Sequence, residues 1–566
     1  MCMGSVPVLW RVVYACAAMA AVAAVTPATV DTTVQKDGPV TVTPAGTIRG
    51  SWMSTRRGRR FQAYRGVRYA HPPTGELRFQ PPKPILQYDG EVDASQEGPA
   101  CPLPAPPSYY VDEDCLRLNV YTPTNKRSAK LPVIVFIHPG GFYSMTGRSD
   151  LAGPHYLLEK DLVLVTLNYR LSALGFISTG DEVAPGNNGM KDQVMALRWV
   201  QRNIAAFGGD PGRVTVAGVS AGAISATLHM ISPMTKGLFH RAISISGSAT
   251  GKEPTPPHQR HLAEKQARLL GCPTNSSRAI IDCLKTKPWK ELGDSYPKFF
   301  EIGYDPVGLW GPVVEPAAGQ ERYLDMDASL AVCSGRMHAV PQIISVTTDE
   351  FSWFARNILK NETLLKRMNA EWKQLAPISF MLPRENSSHA VEELTSHYLH
   401  DRPLANDEAS AKGMGNLYVD SIMGFPIRRM LNLMAQYSPE PVYFYEFAYI
   451  GNHSHWEDPD TKKPVGAMHH DDMLYLFTLP YRFPTIELGT KDDEMVSRMT
   501  AIWYNFAKYG EPTPRQSELG DLSWPAVTSR ERRYLHIDSE MELRTLQEYR
   551  YAIWERLYPD QSCPAH

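Results

Sequence analysis

The chain has 566 residues, 43% of them hydrophobic and 21% charged, which is enough apolar side chain for a large core and too much for global disorder. Lys and Arg number 58 against 60 Asp and Glu, a formal net charge of -2. No global charge draws the chain to a polyanion, so neither nucleic acid nor an acidic membrane surface is an expected partner.

The N-terminal stretch MCMGSVPVLWRVVYACAAMAAVAAVTPATV has one basic residue, Arg11, then an apolar run from Val12 to Val25 with small residues between Ala21 and Ala28. This is the pattern of a cleaved secretory signal over residues 1–25, since an anchor needs roughly 20 apolar residues. No later segment is long and apolar enough to span, and the end, YPDQSCPAH, lacks the apolar tail of a lipid-anchored precursor. The expected product is secreted, without a stable membrane anchor, and of open oligomeric state. Residues 26–566 carry no repeat and no long linker, which predicts one large α/β domain.

Two strand-like runs, GTIRGSWMST and FQAYRGVRYA, flank the basic cluster RRGRR at Arg56 to Arg60. Gly58 suits a turn, so the cluster reads as the solvated tip of a hairpin. Outside the leader, which holds Cys2 and Cys16, Cys101 with Cys115 and Cys272 with Cys283 lie close in sequence. In an oxidising compartment such short loops read as disulfides, and no Cys-x-x-Cys supports zinc. Cys333 reads as a small buried residue and Cys563 as free or intermolecular. Asn275, Asn361, Asn386 and Asn452 stand in glycosylation sequons.

Further along, VIVFI (Val133 to Ile137), LVLVTL (Leu162 to Leu167), RVTVAG (Arg213 to Gly218), QIISV (Gln342 to Val346) and VYFYEF (Val442 to Phe447) are apolar at alternating and intervening positions alike. Strands covered by helices on both faces look like this. Met190, Val194, Leu197 and Ile204 recur at helical spacing before Gly208 and Gly209. The expectation is a large, mostly parallel sheet flanked by helices.

At Gly218-Val-Ser-Ala-Gly222 a β-branched run turns directly into a helix-like segment. A serine hydroxyl is a weak nucleophile, so it must be exposed, relieved of its proton by a base and faced by donors for the oxyanion it creates. A strand-to-helix elbow exposes Ser220, and the two glycines remove side chains that would crowd it. Gly140 and Gly141, in the FIHPGGF segment after an apolar strand, can turn their N–H groups outward and join that of Ala221 as an oxyanion hole. Downstream, Asp349 and Glu350 follow QIISV, and His469 and His470 lie in GAMHHDDMLYLF. Adjacent side chains diverge, so the latter cluster is not read as a metal site. No cofactor is expected.

These residues resemble the carboxylesterase/cholinesterase family of the α/β-hydrolase fold. The likeness runs from about Gly46 to Arg550 and includes AYRGVRYAHPPTGELRF, EDCLRLNVYTP, NYRLSALGF and GPVVE. The resemblance implies Ser220 as nucleophile, Glu350 as acid, His469 as base, and Gly140, Gly141 and Ala221 as oxyanion donors. It also places Ser246, in ISISGSA, in support of the acid, and matches the two short cysteine pairs to family disulfides. Three positions depart from the pattern: Pro139 replaces the first glycine of the loop, Val219 stands where many members carry Glu or Gln, and Phe351 stands where Gly is common. The first cysteine loop has no Trp for binding choline, only Tyr109 and Tyr110 with weaker faces.

The general pattern looks like an insect-type carboxylesterase, of the juvenile hormone or odorant-degrading kind, although the usual Gly-Gln-Ser-Ala-Gly elbow of juvenile hormone esterases is absent. The expected activity is hydrolysis of apolar carboxylic esters through an acyl-enzyme. The rival is a relative that keeps the fold for adhesion or binding without catalysis.

Overall fold

In the computed structural model, residues 38–563 are described, except 384, 386 and 516. The leader with Cys2 and Cys16, and the sequon at Asn386, lie outside the described residues. The main sheet has eleven strands among the described residues. In chain order they are β1 (Ser51–Ser54), β2 (Arg60–Arg68), β3 (Arg117–Thr122), β4 (Leu131–Ile137), β5 (Val163–Leu167), β6 (Gly209–Val219), β7 (Arg241–Ile245), β8 (Gln342–Thr347), β9 (Val442–Phe447), β10 (Arg533–Ile537) and β11 (Met541–Thr545). Their spatial order is β11-β10-β9-β8-β7-β6-β4-β5-β3-β2-β1. The seven strands from β10 to β5 run parallel to one another, and the outer pairings are antiparallel.

The doubly apolar strands bury both faces. Along β4, Val133, Val135 and Ile137 join one core cluster while Ile134 and Phe136 join the other. Along β6, Val214 and Val216 part in the same way from Ala217 and Val219. One face is covered by α1 (Asn188–Asn203), α2 (Ala221–Ile231) and α3 (Phe425–Tyr437); Val496, Met499, Ile502 and Phe506 of α4 (Lys491–Tyr509) cover the other. The helix expected around Met190 is α1, which tightens into a short 3-10 turn at Ile204–Phe207 and stops at Gly208 with φ 81°. Glycine takes that left-handed conformation without a Cβ penalty.

Two expectations need correction. The RRGRR segment caps the β1–β2 hairpin and its tip is solvated at Arg57, Gly58 and Arg60, but Arg56 is docked instead. Arg56, its side chain only 6% exposed, pairs with Glu159 at 2.9 Å and Asp493 at 2.7 Å and lies over the Tyr156 ring. Those carboxylates are distant in sequence, so only the folded chain supplies the partners. The cysteines form three disulfides among the described residues: Cys101–Cys115, Cys272–Cys283 and Cys333–Cys563. Cys333 is therefore not an isolated buried thiol, nor is Cys563 free; the fold joins them across 230 residues of sequence.

Candidate active site

Because β4 lies between β5 and β6, the chain switches direction there, and crevices at the carboxyl ends of parallel strands form at such points. Gly218 of β6 pairs with Ile137 of β4 and Ser244 of β7, which sets the elbow level with the ends of both neighbours. Ser220 follows with φ 55° and ψ -119°, and α2 begins at the next residue. A Cβ on Gly218 would sit 2.1 Å from the carbonyl oxygen of Gly222, and one on Gly222 the same distance from that of Ile137. Glycine at both positions is thus a condition of the turn. The Ser220 N–H donates to Ile245 O at 2.8 Å, tying the strained residue to β7.

His469 comes from the segment between β9 and α4. Its imidazole Nε2 is 2.9 Å from Ser220 Oγ, and its Nδ1 hydrogen-bonds Glu350 Oε2. A carboxylate only accepts, so Nδ1 carries the proton and Nε2 receives the serine hydroxyl. Glu350 is fully buried, and its Oε1 accepts the Thr347 N–H at 2.9 Å. Burial pushes its carboxyl up, yet His469, together with Ser246 and Thr347, holds it below the ordinary value. Ser246 is fully buried after β7 with φ 52°; among the described residues its Oγ has no partner at ordinary geometry, yet it lies near enough to Glu350 to help hold it as a carboxylate.

The segment carrying His469 is held by Asp349, the neighbour of Glu350 in sequence, and by Asp471, which the sequence did not single out. Asp349 N–H donates to Ala467 O at 3.0 Å, and a Cβ on Gly466 would meet the Asp349 carboxyl at 2.6 Å. Of the two adjacent acids, Glu350 therefore faces the imidazole and Asp349 clamps the loop. Asp471 accepts from the Met468 N–H at 2.8 Å, Ser454 Oγ at 2.7 Å and the His455 N–H at 2.7 Å. Phe351, with φ 55°, lays its ring 4.1 Å from the His469 ring. This backbone conformation is unusual for a bulky residue. Val219 is buried in the apolar cluster behind the sheet, so no charged group stands at that position.

Gly140 and Gly141 follow β4 with φ of 110° and 58°, and both line the same cavity as Ser220 and His469. The Gly140 carbonyl accepts from Tyr143 and Ser144 N–H groups, while among the described residues neither glycine N–H donates to a backbone carbonyl. Ala221 opens α2, where the first amides have no intrahelical acceptor. The Pro139 carbonyl accepts from His138 Nδ1 at 2.7 Å. Burial pushes His138 down to about 4, and its ring stacks on Tyr169.

The cavity measures about 230 Å3. One wall is aromatic: Tyr304 packs on Trp353 and Phe354, beside Phe300 and Phe351. No Asp or Glu is among its described lining residues. Tyr109, from the Cys101–Cys115 loop, reaches the opposite wall, but the Arg148 guanidinium already lies 5.2 Å from its ring centre; Tyr110 is exposed. Neither tyrosine therefore builds a cation site. The aromatic wall had no sequence signal because Phe300 and Tyr304 meet Phe351, Trp353 and Phe354 only in the fold, from segments about 50 residues apart. Asn275, Asn361 and Asn452 are all exposed.

A parallel sheet with a strained serine elbow at a strand end, hydrogen-bonded to a histidine and a buried acid, defines an α/β-hydrolase. Residues 37–554 match the model of the carboxylesterase family. The chain belongs to that family and is, by class, a carboxylic ester hydrolase. It is 38% identical over 492 residues to Esterase FE4 of Myzus persicae, covering 84% of this chain and 85% of that protein. Against the juvenile hormone esterase of Tribolium castaneum it is 35% identical over 511 residues, 86% of each. Among solved structures it resembles the juvenile hormone esterase of Manduca sexta with OTFP covalently attached. The TM-score is 0.81 at 29% identity, and the match covers 92% of this chain and all of that one.

Proposed function

We propose that this chain is a secreted serine esterase that hydrolyses apolar carboxylic esters through an acyl-enzyme. The observation that carries the reading is the Ser220–His469–Glu350 hydrogen-bond chain opening on a cavity with an aromatic wall. Ser220 attacks the ester carbonyl as His469 Nε2 takes its proton; the oxyanion is received by the N–H groups of Gly140, Gly141 and Ala221. His469 then protonates the leaving alcohol, and a water deprotonated by the same nitrogen releases the acid. Glu350 holds the imidazole and its transient charge. The covalent adduct named for the Manduca sexta relative supports the same chemistry at Ser220. The absence of carboxylates from the described lining favours neutral over cationic esters.

Secretion is supported by residues 1–25 and by the three disulfides. The described helices include none long and apolar enough to cross a membrane. Glycans at Asn275, Asn361, Asn386 and Asn452 would be removed from the secreted chain by an N-glycosidase. The deciding experiment is labelling by a fluorophosphonate probe alongside hydrolysis of aryl esters, with Ser220→Ala as control. The expected outcome is loss of labelling and a fall of kcat by roughly 10^3-fold or more. Turnover that survives the substitution overturns the assignment.

A further inference from the structure

The cavity's second wall is polar in a way that ester cleavage at Ser220 does not require. Arg482, His455 and His470 line it, beside Tyr481. One Arg482 N–H donates to the His455 carbonyl, and its guanidinium lies against the Phe483 ring. No described carboxylate forms an ion pair with it; Asp471 and Glu457 act on it only through space. Burial pushes Arg482 down to about 10, which leaves it charged at neutral pH. His455, its side chain 9% exposed, donates Nδ1–H to Asp471 at 3.2 Å, so its Nε2 is a lone-pair acceptor, buried and without a partner among the described residues. His470 Nε2 is likewise buried and unpartnered. Tyr481 packs edge-on to Tyr109 of the Cys101–Cys115 loop, which closes this wall.

Arg482 presents a cation to the cavity with no described carboxylate ion-paired to it, and the aromatic wall opposite offers no acceptor of comparable strength. Resting on the esterase reading, we infer that this wall is a specificity subsite: it takes an ester carrying a second oxygen acceptor, which receives hydrogen bonds from Arg482 while the apolar remainder lies on the aromatic wall. The acceptor is a ketone or ester oxygen, or a carboxylate, and the two are separable by substrate charge. A site built to hydrogen-bond an oxygen discriminates strongly against the carbon analogue, because binding the latter leaves its polar groups unpaired.

The test uses the full-length secreted protein and two matched ester series, with the distal oxygen placed in the acyl half or in the alcohol half. Each series compares an alkyl chain with its ketone and carboxylate counterparts, for example 4-nitrophenyl hexanoate, 5-oxohexanoate and hydrogen glutarate. In one series the oxygen-bearing ester should exceed the alkyl ester in kcat/KM by about tenfold, mainly through KM. In Arg482→Met that preference ratio should fall to about twofold or less, and in Arg482→Lys it should survive in part. Fluorophosphonate labelling of each variant reports that the Ser220 site is folded. A ratio that is flat in the wild type, or unchanged in Arg482→Met, overturns the subsite and leaves the esterase reading standing. A wild type that hydrolyses no ester overturns the esterase reading and this inference with it.

Discussion

Glu350 and Asp305 are both buried acids, and their surroundings give them opposite roles. Glu350 faces His469, a Thr347 N–H and the Ser246 hydroxyl, and is held as a carboxylate. In Glu350→Gln the shape is kept, but the amide no longer stabilises the charged imidazole. We expect kcat to fall by roughly 10^2- to 10^4-fold, read by steady-state hydrolysis, with the fold retained by circular dichroism. Asp305, between cavity residues Tyr304 and Val307, accepts from the Tyr418 hydroxyl at 2.5 Å on Oδ2, with the Ser379 hydroxyl also acting on it, and its Oδ1 has no hydrogen-bond partner at ordinary geometry among the described residues. Burial pushes it up to about 7. The unfolded chain loses this proton near its ordinary value of about 3.9, while the folded chain keeps it to about 7. The folded state thus binds more protons in that window, and stability falls as pH rises through it, then levels off. Asp305→Asn should remove this part of the fall: the drop in Tm between pH 5 and pH 8 becomes smaller than in the wild type. An unchanged drop would show that Asp305 does not titrate in this window.

The elbow is the element on which the site turns, and its tolerance is set by two backbone contacts rather than by side-chain chemistry. In Gly222→Ala the new methyl meets the Ile137 carbonyl oxygen, which cannot swing aside because β4 is a central strand. Overpacking of this kind costs about 1–3 kcal/mol, and more where backbone must shift. The expected result is a lower Tm together with slowed fluorophosphonate labelling, since the same shift moves Ser220. A Tm loss with full labelling would place the strain elsewhere than the elbow. This element was legible in the sequence because its demands are local: an apolar run, two glycines and a helix pattern. The same holds for β4, β5, β8 and β9, whose two buried faces print as runs apolar at most alternating and intervening positions. β7 was missed, since RAISI is short and opens on an arginine, and so was β10, which interleaves Arg533 and His536 with its apolar residues. Which of Asp349 and Glu350 faces the imidazole was set by the loop pairing to Ala467, and the second wall of the cavity by Arg482 and His455, 27 positions apart. Neither has a spacing to find.

At the scale of the whole molecule, the least legible feature is the Cys333–Cys563 bond. Six cysteines allow about 15 pairings, and only the two short loops had proximity to recommend them. The bond ties the end of the helix Ala328–Cys333 to the C-terminal tail, just beyond the helix Ala552–Leu557. That last helix is also held by Trp554, fully buried, which stacks on Phe425 and donates its indole N–H to Tyr398 at 2.8 Å. Two devices therefore secure the same end of the chain, one covalent and acting on the unfolded state, the other packing in the folded one. The double substitution Cys333→Ser with Cys563→Ser removes the covalent restraint and leaves the packing. Closing so long a loop stabilises by about 2–4 kcal/mol, so Tm should fall, and carboxypeptidase or limited proteolysis should reach the tail sooner. Ester hydrolysis at room temperature should persist, because neither cysteine nor the helix Ala328–Cys333 lines the cavity. An unchanged Tm with an unchanged proteolysis rate would mean that non-covalent contacts, Trp554 with the Arg429 hydrogen bond to the Tyr558 carbonyl and the Arg556–Glu393 pair, anchor the tail; in that case Trp554→Ala, which opens the pocket between Tyr398 and Phe425, should loosen it even with the disulfide intact.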